Sequence, residues 1–410
     1  MPEAAVDPAR PGQCAGVPGE VVDERRLVET NCRRLQQLLR REGIDAVLAV
    51  APDNWRYLTG VPLMHSLFLT ALNVAVLRAD SGFASLLALE GFGAAMRART
   101  PWHDDIEELP FRRTGEPLQP MCVHAWPAVL ADRLARLGLR RGRIALDAML
   151  PYALKDALQA ALPEARFVDA GRLLREARLV KGPEEIKALH AACRFADQAM
   201  ADAFAAVARR SSELEIAATI EHSFRIHGAE HSGFTPLVFA GVPEIVGIPR
   251  FSRETLRDGQ LVRIDLGGCA HGYYSCIGRT ALVGPANRRV TTAFAAVQAS
   301  LTAGVATARP GATNVEVHAA MVRAMSASSG GEHALDWYGG HGLGLGAHEE
   351  PMIGSADAVT EVVLEPGMCL ALEPALMVPG HGWLGLEDDV VITDSGCAVL
   401  SAARIALEPL

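Results

Sequence analysis

The sequence predicts an α/β domain over residues 21–178 followed by an α+β domain over residues 179–410, whose antiparallel sheet is covered by helices. Three observations carry this. Short apolar runs alternate with amphipathic helical spacing through the first part of the chain, the pattern of an α/β layer. Beyond it, long helices alternate with β-rich stretches. At the change, Lys181-Gly182-Pro183-Glu184-Glu185 signals a helix start, with proline in the first turn and acids near the positive end of the helix dipole.

In chain order, residues 1–20 carry Pro, Ala and Gly without a charged leader and apolar core, and are expected to be a disordered tail rather than a signal peptide. Residues 24–42 set Leu27, Leu35, Leu38 and Leu39 among Arg and Gln, a helix with a polar face that ends at Gly43. Ile44 to Val50 is a buried strand, and Pro52 to Gly60 a loop or short helix. Residues 71–79 and 83–89 form a hairpin around Asp80-Ser81-Gly82. A helix over 129–137, a strand over 144–147, a helix over 153–162, a strand over 167–169 and a short helix over 172–179 complete the first domain. In the second, the helix from Pro183 carries apolar Ile186, Leu189, Cys193 and Phe204, and Ser212 to His227 is a further helix. Leu261 to Gly267 is a strand, with Tyr273 to Val283 as its hairpin partner. Helices are expected over 288–307 and 314–327, and two last strands over 368–377 and 383–393.

The net charge of −9 argues against nucleic acid as the main partner and gives no pull toward anionic membranes. No apolar run looks long and charge-free enough to span a bilayer. The eight cysteines, at 14, 32, 122, 193, 269, 276, 369 and 397, form no CxxC pair. A chain with a core of this size needs no disulfide frame, so reduced thiols in a cytoplasmic protein are expected.

The chemistry concentrates near the C-terminus. Tyr338-Gly339-Gly340-His341-Gly342-Leu343-Gly344-Leu345-Gly346-Ala347-His348-Glu349-Glu350-Pro351 combines dense glycine with two histidines seven residues apart, suited to close ligand approach and to metal ligation or proton transfer. Asp265 closes a strand, Cys276 lies across the hairpin from it, and Glu373 and Glu387 sit in apolar strands. Carboxylates in such strands are costly to bury unless they bind a cation or pair. Carboxylates with an imidazole suit Mn, Fe, Co or Zn.

The stretches Val262-Arg263-Ile264-Asp265-Leu266-Gly267, Tyr273-Tyr274-Ser275-Cys276-Ile277-Gly278-Arg279-Thr280, Gly340-His341-Gly342, His348-Glu349-Glu350-Pro351, Glu373-Pro374 and Glu387-Asp388 resemble the pita-bread family, in its creatinase/prolidase branch. The resemblance covers nearly the whole chain and implies a pita-bread second domain. In the family's peptidases, Asp, Asp, His, Glu and Glu hold two metal ions. The resemblance carries four of these to Asp265, His341, Glu373 and Glu387, and puts Cys276 where the second Asp, the usual bridge between the ions, would stand. It makes His348 the histidine that contacts substrate. The family's further histidine would fall near Arg250, where it is missing, and His231 is the nearest replacement.

These matches imply a hydrolase acting on a C–N bond in a small amide, amidine or Xaa-Pro-like substrate, with a departed metal site holding one divalent ion or none. His348, His231, Glu373, Glu387 and Arg250 are the catalytic candidates. Asp265, Cys276, His341, Glu373 and Glu387 are the metal-ligand candidates. Trp55, Arg56 and His65 lie where the branch puts first-domain residues that reach the active site, and Tyr274 and His381 are further substrate-binding candidates. Arg279 is expected to pair internally with an acid. Two alternatives stand beside the hydrolase: a lyase eliminating a β-substituent from a small carboxylate, and an inactive binding protein. The expected partner is a small molecule, with no nucleic acid and no membrane, and the expected assembly a homodimer.

Overall fold

The computed structural model describes residues 21–62, 73–109, 126–241, 251–328 and 334–407. The expected tail over residues 1–20 lies outside them. The described chain forms two compact units, Asp23–Arg178 and one built on Leu179–Leu410.

The first unit runs α1 (Glu24–Arg41), β1 (Ala46–Ala49), α2 (Pro52–Thr59), β2 (Val74–Arg78), β3 (Ser85–Leu89), α3 (Gly93–Arg99), β4 (Ile106–Leu109), α4 (Trp126–Arg136), β5 (Arg143–Leu146), α5 (Tyr152–Ala161), β6 (Arg166–Asp169) and α6 (Gly171–Leu179). Its mixed sheet has the order β4-β3-β2-β1-β5-β6. The hairpin partners β2 and β3 are antiparallel, and β1, β5 and β6 are mutually parallel. Leu48, Val76, Leu87, Leu134, Ile144 and Leu158 build the core. α2 is a true helix. Asp147 anchors its start, accepting from Ala51 N at 3.0 Å and Asn54 Nδ2 at 3.0 Å. α3 and β4 were not anticipated. β4 is an edge strand with two glutamates in four residues, which masks the period-2 pattern.

The second unit follows with α7 (Pro183–Ala208), α8 (Glu213–His227), β7 (Leu237–Ala240), β8 (Leu261–Leu266), β9 (Cys269–Ala270), β10 (Tyr273–Tyr274), β11 (Ile277–Leu282), α9 (Arg288–Thr307), α10 (Asn314–Ala327), β12 (Tyr338–Gly342), β13 (Glu349–Gly354), β14 (Cys369–Leu372), β15 (Ala375–Val378), β16 (Gly382–Gly385), β17 (Asp388–Ile392) and β18 (Cys397–Val399). A sheet β11-β8-β7 and a sheet β13-β12-β14-β17-β18 meet where Gly278 and Glu387 exchange backbone hydrogen bonds. Apolar residues of α9 and α10, among them Val297 and Met321, pack on Leu370, Leu372 and Val390. Those of α7 and α8, among them Met200 and Phe224, pack on Val262, Ile264 and Ile277.

Helix starts obey their caps. Ser212 N donates to Glu215 Oε2 at 2.8 Å, and Ser212 Oγ accepts from Glu215 N at 3.3 Å. Replacing Ser212 by Ala is expected to cost about 1 kcal/mol, read as a lower denaturant midpoint at unchanged slope. α9 corrects the membrane reading, because by length and composition alone it could cross a bilayer. In the fold it is a core helix that buries Val290, Val297 and Leu301.

The strand boundaries differ from expectation where chemistry sits. The expected strand 368–377 breaks at Glu373-Pro374, and 383–393 breaks at Leu386-Glu387. Tyr273–Val283 divides at Ser275-Cys276. Pro374 has no N–H for a ladder, and Glu387 spends its backbone on Gly278. Half of the glycine-rich run is strand, β12 and β13 flanking a turn over 343–348. Gly340 allows this, since at φ +146° a Cβ there would overlap Ala371 O on β14.

Candidate metal centre

Period-2 alternation along β8 sends Val262, Ile264 and Leu266 to one face, into the core against α7 and α8, and Arg263 and Asp265 to the other. β11 pairs with β8 so that Gly278 lies opposite Asp265. β12 pairs with β14, which places His341 opposite Ala371, two residues before Glu373. Glu387 reaches the same space from the break before β17. Three strand breaks and one strand end thus deliver Cys276, Glu373, Glu387 and Asp265 to a common point.

Around it, His341 Nε2 lies 3.6 Å from Glu373 Oε1 and 3.8 Å from Glu387 Oε1. Arg263 Nη2 lies 3.5 Å from Asp265 Oδ2, 3.8 Å from Glu373 Oε2 and 3.8 Å from Glu387 Oε2. Cys276 Sγ lies 3.9 Å from Asp265 Oδ1, and its N–H donates to Asp389 Oδ2 at 2.9 Å. Tyr338 Oη donates to Glu373 Oε1 at 2.8 Å. His348, from the turn after β12, sets its ring edge-on to His341, with centroids 4.0 Å apart.

The electrostatics follow from burial. The His341 side chain and that of Glu387 are fully buried. Burial, then the nearby His348, lowers the His341 pKa to about 3, so the ring is neutral. Its Nδ1 is 2.9 Å from Gly342 O, an acceptor only, so Nδ1 carries the hydrogen and Nε2 offers a lone pair. Burial, with the charge of Asp265, raises Glu373 to about 7. Burial, then Asp265 and Glu373, holds Glu387 well above the ordinary carboxylate range. Burial lifts Asp265 too, opposed chiefly by Arg263. Burial and the adjacent carboxylates, Glu387 first, push the Cys276 thiol far up, so it is no free thiolate nucleophile. For Arg263, burial works against the charge, and Asp265, Glu387 and Glu373 outweigh it.

Among the described residues, His341 Nε2 and both carboxylate oxygens of Glu387 have no hydrogen-bond partner. Orphaned buried donors and acceptors of this kind are rare without a function. Ligand atoms of Cys276, His341 and Glu387 lie within 4.8 Å of one another, as do those of Asp265, Glu373 and Glu387. An imidazole lone pair and two carboxylates fit one divalent ion. Metal coordination would deprotonate Cys276 if it joined them.

The structure thus assembles Asp265, Cys276, His341, His348, Glu373 and Glu387. It groups His231 differently, with Glu230 and Cys269, its ring 5.7 Å from that of Tyr274. Tyr274 is tied by its N–H to Gly344 O at 2.7 Å, under the turn that carries His348. His381 is placed at the other end of β8: its Nδ1 bonds Gly259 O at 2.6 Å and its carbonyl accepts from Leu261 N. Those contacts make it part of the turn that joins β15 and β16. Trp55 lies in α2. It is fully buried in the first unit, with Nε1 donating to Val61 O at 3.0 Å. Arg56 is buried there as well. His65 and Arg250 lie outside the described residues. Arg279 pairs with Asp388 at 2.7 Å. Arg263 and Tyr338 were missed. The available signal for Arg263 was a lone Arg in an apolar strand, two residues from an acid and so on its face.

The profile of metallopeptidase family M24 matches residues 187–394, and that of the creatinase/prolidase N-terminal domain matches residues 32–180. An Xaa-Pro dipeptidase of Pyrococcus horikoshii is 30% identical over 256 residues, which is 62% of this chain and 71% of that protein. An uncharacterized peptidase of Bacillus subtilis, YqhT, is 28% identical over 366 residues, covering 88% of this chain and 95% of that one. Among solved structures, a Pyrococcus horikoshii dipeptidase superposes with a TM-score of 0.77 at 26% identity, covering 93% of this chain and all of its own. The Xaa-Pro dipeptidase of Bacillus anthracis gives 0.76 at 25%, with 93% of this chain and 100% of that one covered. The chain belongs to metallopeptidase family M24, in its prolidase-like branch, with an α/β first domain and a pita-bread second domain.

Proposed function

We propose that this protein is a dipeptidase-like hydrolase that cleaves the C–N bond of a small Xaa-Pro-type dipeptide at the cluster around His341. The observation that carries this is the convergence of a neutral imidazole nitrogen and two glutamates on one buried point, 3.6 and 3.8 Å apart, with orphaned ligand atoms. His341, Glu373 and Glu387 would hold a divalent ion, which when bound lowers the pKa of water and polarises a carbonyl. The chain's own groups do the rest. Glu373, beside the His341 ring, is the carboxylate placed to take the proton from the attacking water. Tyr338 fixes the Glu373 carboxyl through Oε1 and leaves Oε2 turned toward Arg263. His348, exposed and braced on His341, relays the proton taken by Glu373 to the leaving nitrogen, accepting it before donating it. The relatives' names, Xaa-Pro dipeptidase among them, support the substrate class. Six described cysteines are free, which supports a cytoplasmic setting, and a homodimer is part of the same proposal.

The test is hydrolysis of a panel of Xaa-Pro dipeptides beside non-prolyl dipeptides and an amidine, with Mn²⁺ supplied. Release of free proline is expected. Turnover confined to the amidine, or binding without turnover, would contradict the proposal. Replacing Tyr338 by Phe is expected to lower kcat by about 10- to 100-fold with little change in melting temperature, as for loss of a group that orients a site carboxylate. Unchanged kcat would remove Tyr338 from the site.

A further inference from the structure

We infer that the Arg263 guanidinium stands in place of a second metal ion, so that this centre takes one divalent cation where a paired site would take two. This rests on the reading of the cluster as a metal centre.

Four observations converge. First, Nη2 sits among Asp265, Glu373 and Glu387 at 3.5, 3.8 and 3.8 Å, so one nitrogen serves the three carboxylates that an ion on that side would need. The Arg263 side chain is 10% exposed, so this is no surface arginine folded inward by chance.

Second, space is made for it by two glycines. A Cβ on Gly385 would overlap Arg263 Nη1, and one on Gly278 would lie 3.2 Å from Nη2 and 2.9 Å from Glu387 Oε2. Both positions lie in buried strand segments, where glycine weakens the strand and calls for a close neighbour as its reason. At Gly385 the neighbour is the guanidinium, and at Gly278 it is the Glu387 side chain first and the guanidinium next.

Third, a neutral thiol and not a further carboxylate flanks Asp265, with Cys276 Sγ 3.9 Å from Asp265 Oδ1. A carboxylate there would add a further buried charge beside Asp265 and Glu387. The thiol fits a site whose second cation is already covalently part of the chain.

Fourth, with a neutral Cys276 thiol the formal charges balance at one divalent ion. The three carboxylates facing Arg263 carry three negative charges when ionised. Arg263 offsets one and a single divalent ion offsets the other two. Buried charge persists only when compensated, so a second ion would leave an uncompensated excess of two positive charges. Arg263 and His341 also face different oxygens of the glutamates. Arg263 faces Oε2 of Glu373 and of Glu387, while His341 Nε2 faces Oε1 of each. Each glutamate would therefore offer one oxygen to Arg263 and the other to an ion held with His341.

The test is Mn²⁺ stoichiometry on the full chain, by titration calorimetry and by elemental analysis after gel filtration, for four proteins. The wild type is expected to bind one ion per chain. Cys276→Asp alone is expected to stay at one, because the guanidinium still fills the place. Arg263→Leu with Cys276→Asp is expected to bind two. Arg263→Lys is expected to stay at one, because the charge is kept. Circular dichroism and a melting curve establish that each variant is folded. Two ions in the wild type overturn the inference and need no variant. A second ion gained by Cys276→Asp alone, or a folded double variant that stays at one, also overturns it. No ion in the wild type at saturating Mn²⁺ overturns the reading of the cluster as a metal centre and the inference with it.

Discussion

Replacing Glu387 by Gln is expected to lower kcat by about 1000-fold while leaving the fold at least as stable as the wild type. The two halves of that result have one cause. The Glu387 side chain is fully buried, neither carboxylate oxygen has a hydrogen-bond partner among the described residues, and burial holds its pKa far above the ordinary range. Such a group is a liability to folding, retained where function needs it. Its amide isostere keeps the volume and the backbone link to Gly278 but cannot act as an anionic ligand. The check is kcat for Xaa-Pro hydrolysis beside the melting temperature of the same preparation. Activity within tenfold of wild type would remove Glu387 from the centre. A large fall in melting temperature would make its role structural.

Replacing Arg279 by Met is expected to act in the opposite sense, through stability. Arg279 is fully buried, and its guanidinium donates to Asp388 Oδ1 at 2.7 Å, Ala403 O at 2.8 Å and Gly278 O at 2.8 Å, and also to the Glu387 carbonyl. Removing it takes the guanidinium away from a buried carboxylate that Ser401 Oγ, donating at 2.7 Å, does not neutralise. Breaking a buried pair from one side costs about 3–5 kcal/mol. For a unit of this size that is a fall of roughly 6–20 °C in melting temperature. Substituting Asp388 by Leu as well is expected to recover part of the loss, because no lone buried charge then remains. A single variant that melts with the wild type would contradict this account.

The helices were legible because their ends carry local chemistry. α9 and α10 start after Asn287 and Thr313, whose side chains accept from Val290 N and Glu316 N, and both match their expected spans. The acids and histidines of the centre were legible as costly groups in apolar surroundings. What was hidden depends on tertiary register. The strand breaks at Ser275-Cys276, Glu373-Pro374 and Leu386-Glu387 turn side chains into one space, and an apolar run does not announce where it will break. Arg263 was hidden because its partners lie far along the chain, at Glu373 and Glu387, and its room comes from Gly385. Trp55 and His381 show the converse. The family resemblance for Trp55 and a place beside Gly382 for His381 suggested recognition, and local sequence does not show that ring nitrogens of the two are engaged by Val61 O and Gly259 O within the fold.

The most direct test of the hydrolase is turnover of an Xaa-Pro dipeptide in water enriched with oxygen-18. Attack of water on the scissile carbonyl predicts one labelled oxygen in the carboxylate of the released N-terminal residue and none in the proline. Unlabelled products, or an unsaturated product formed by elimination, would contradict it.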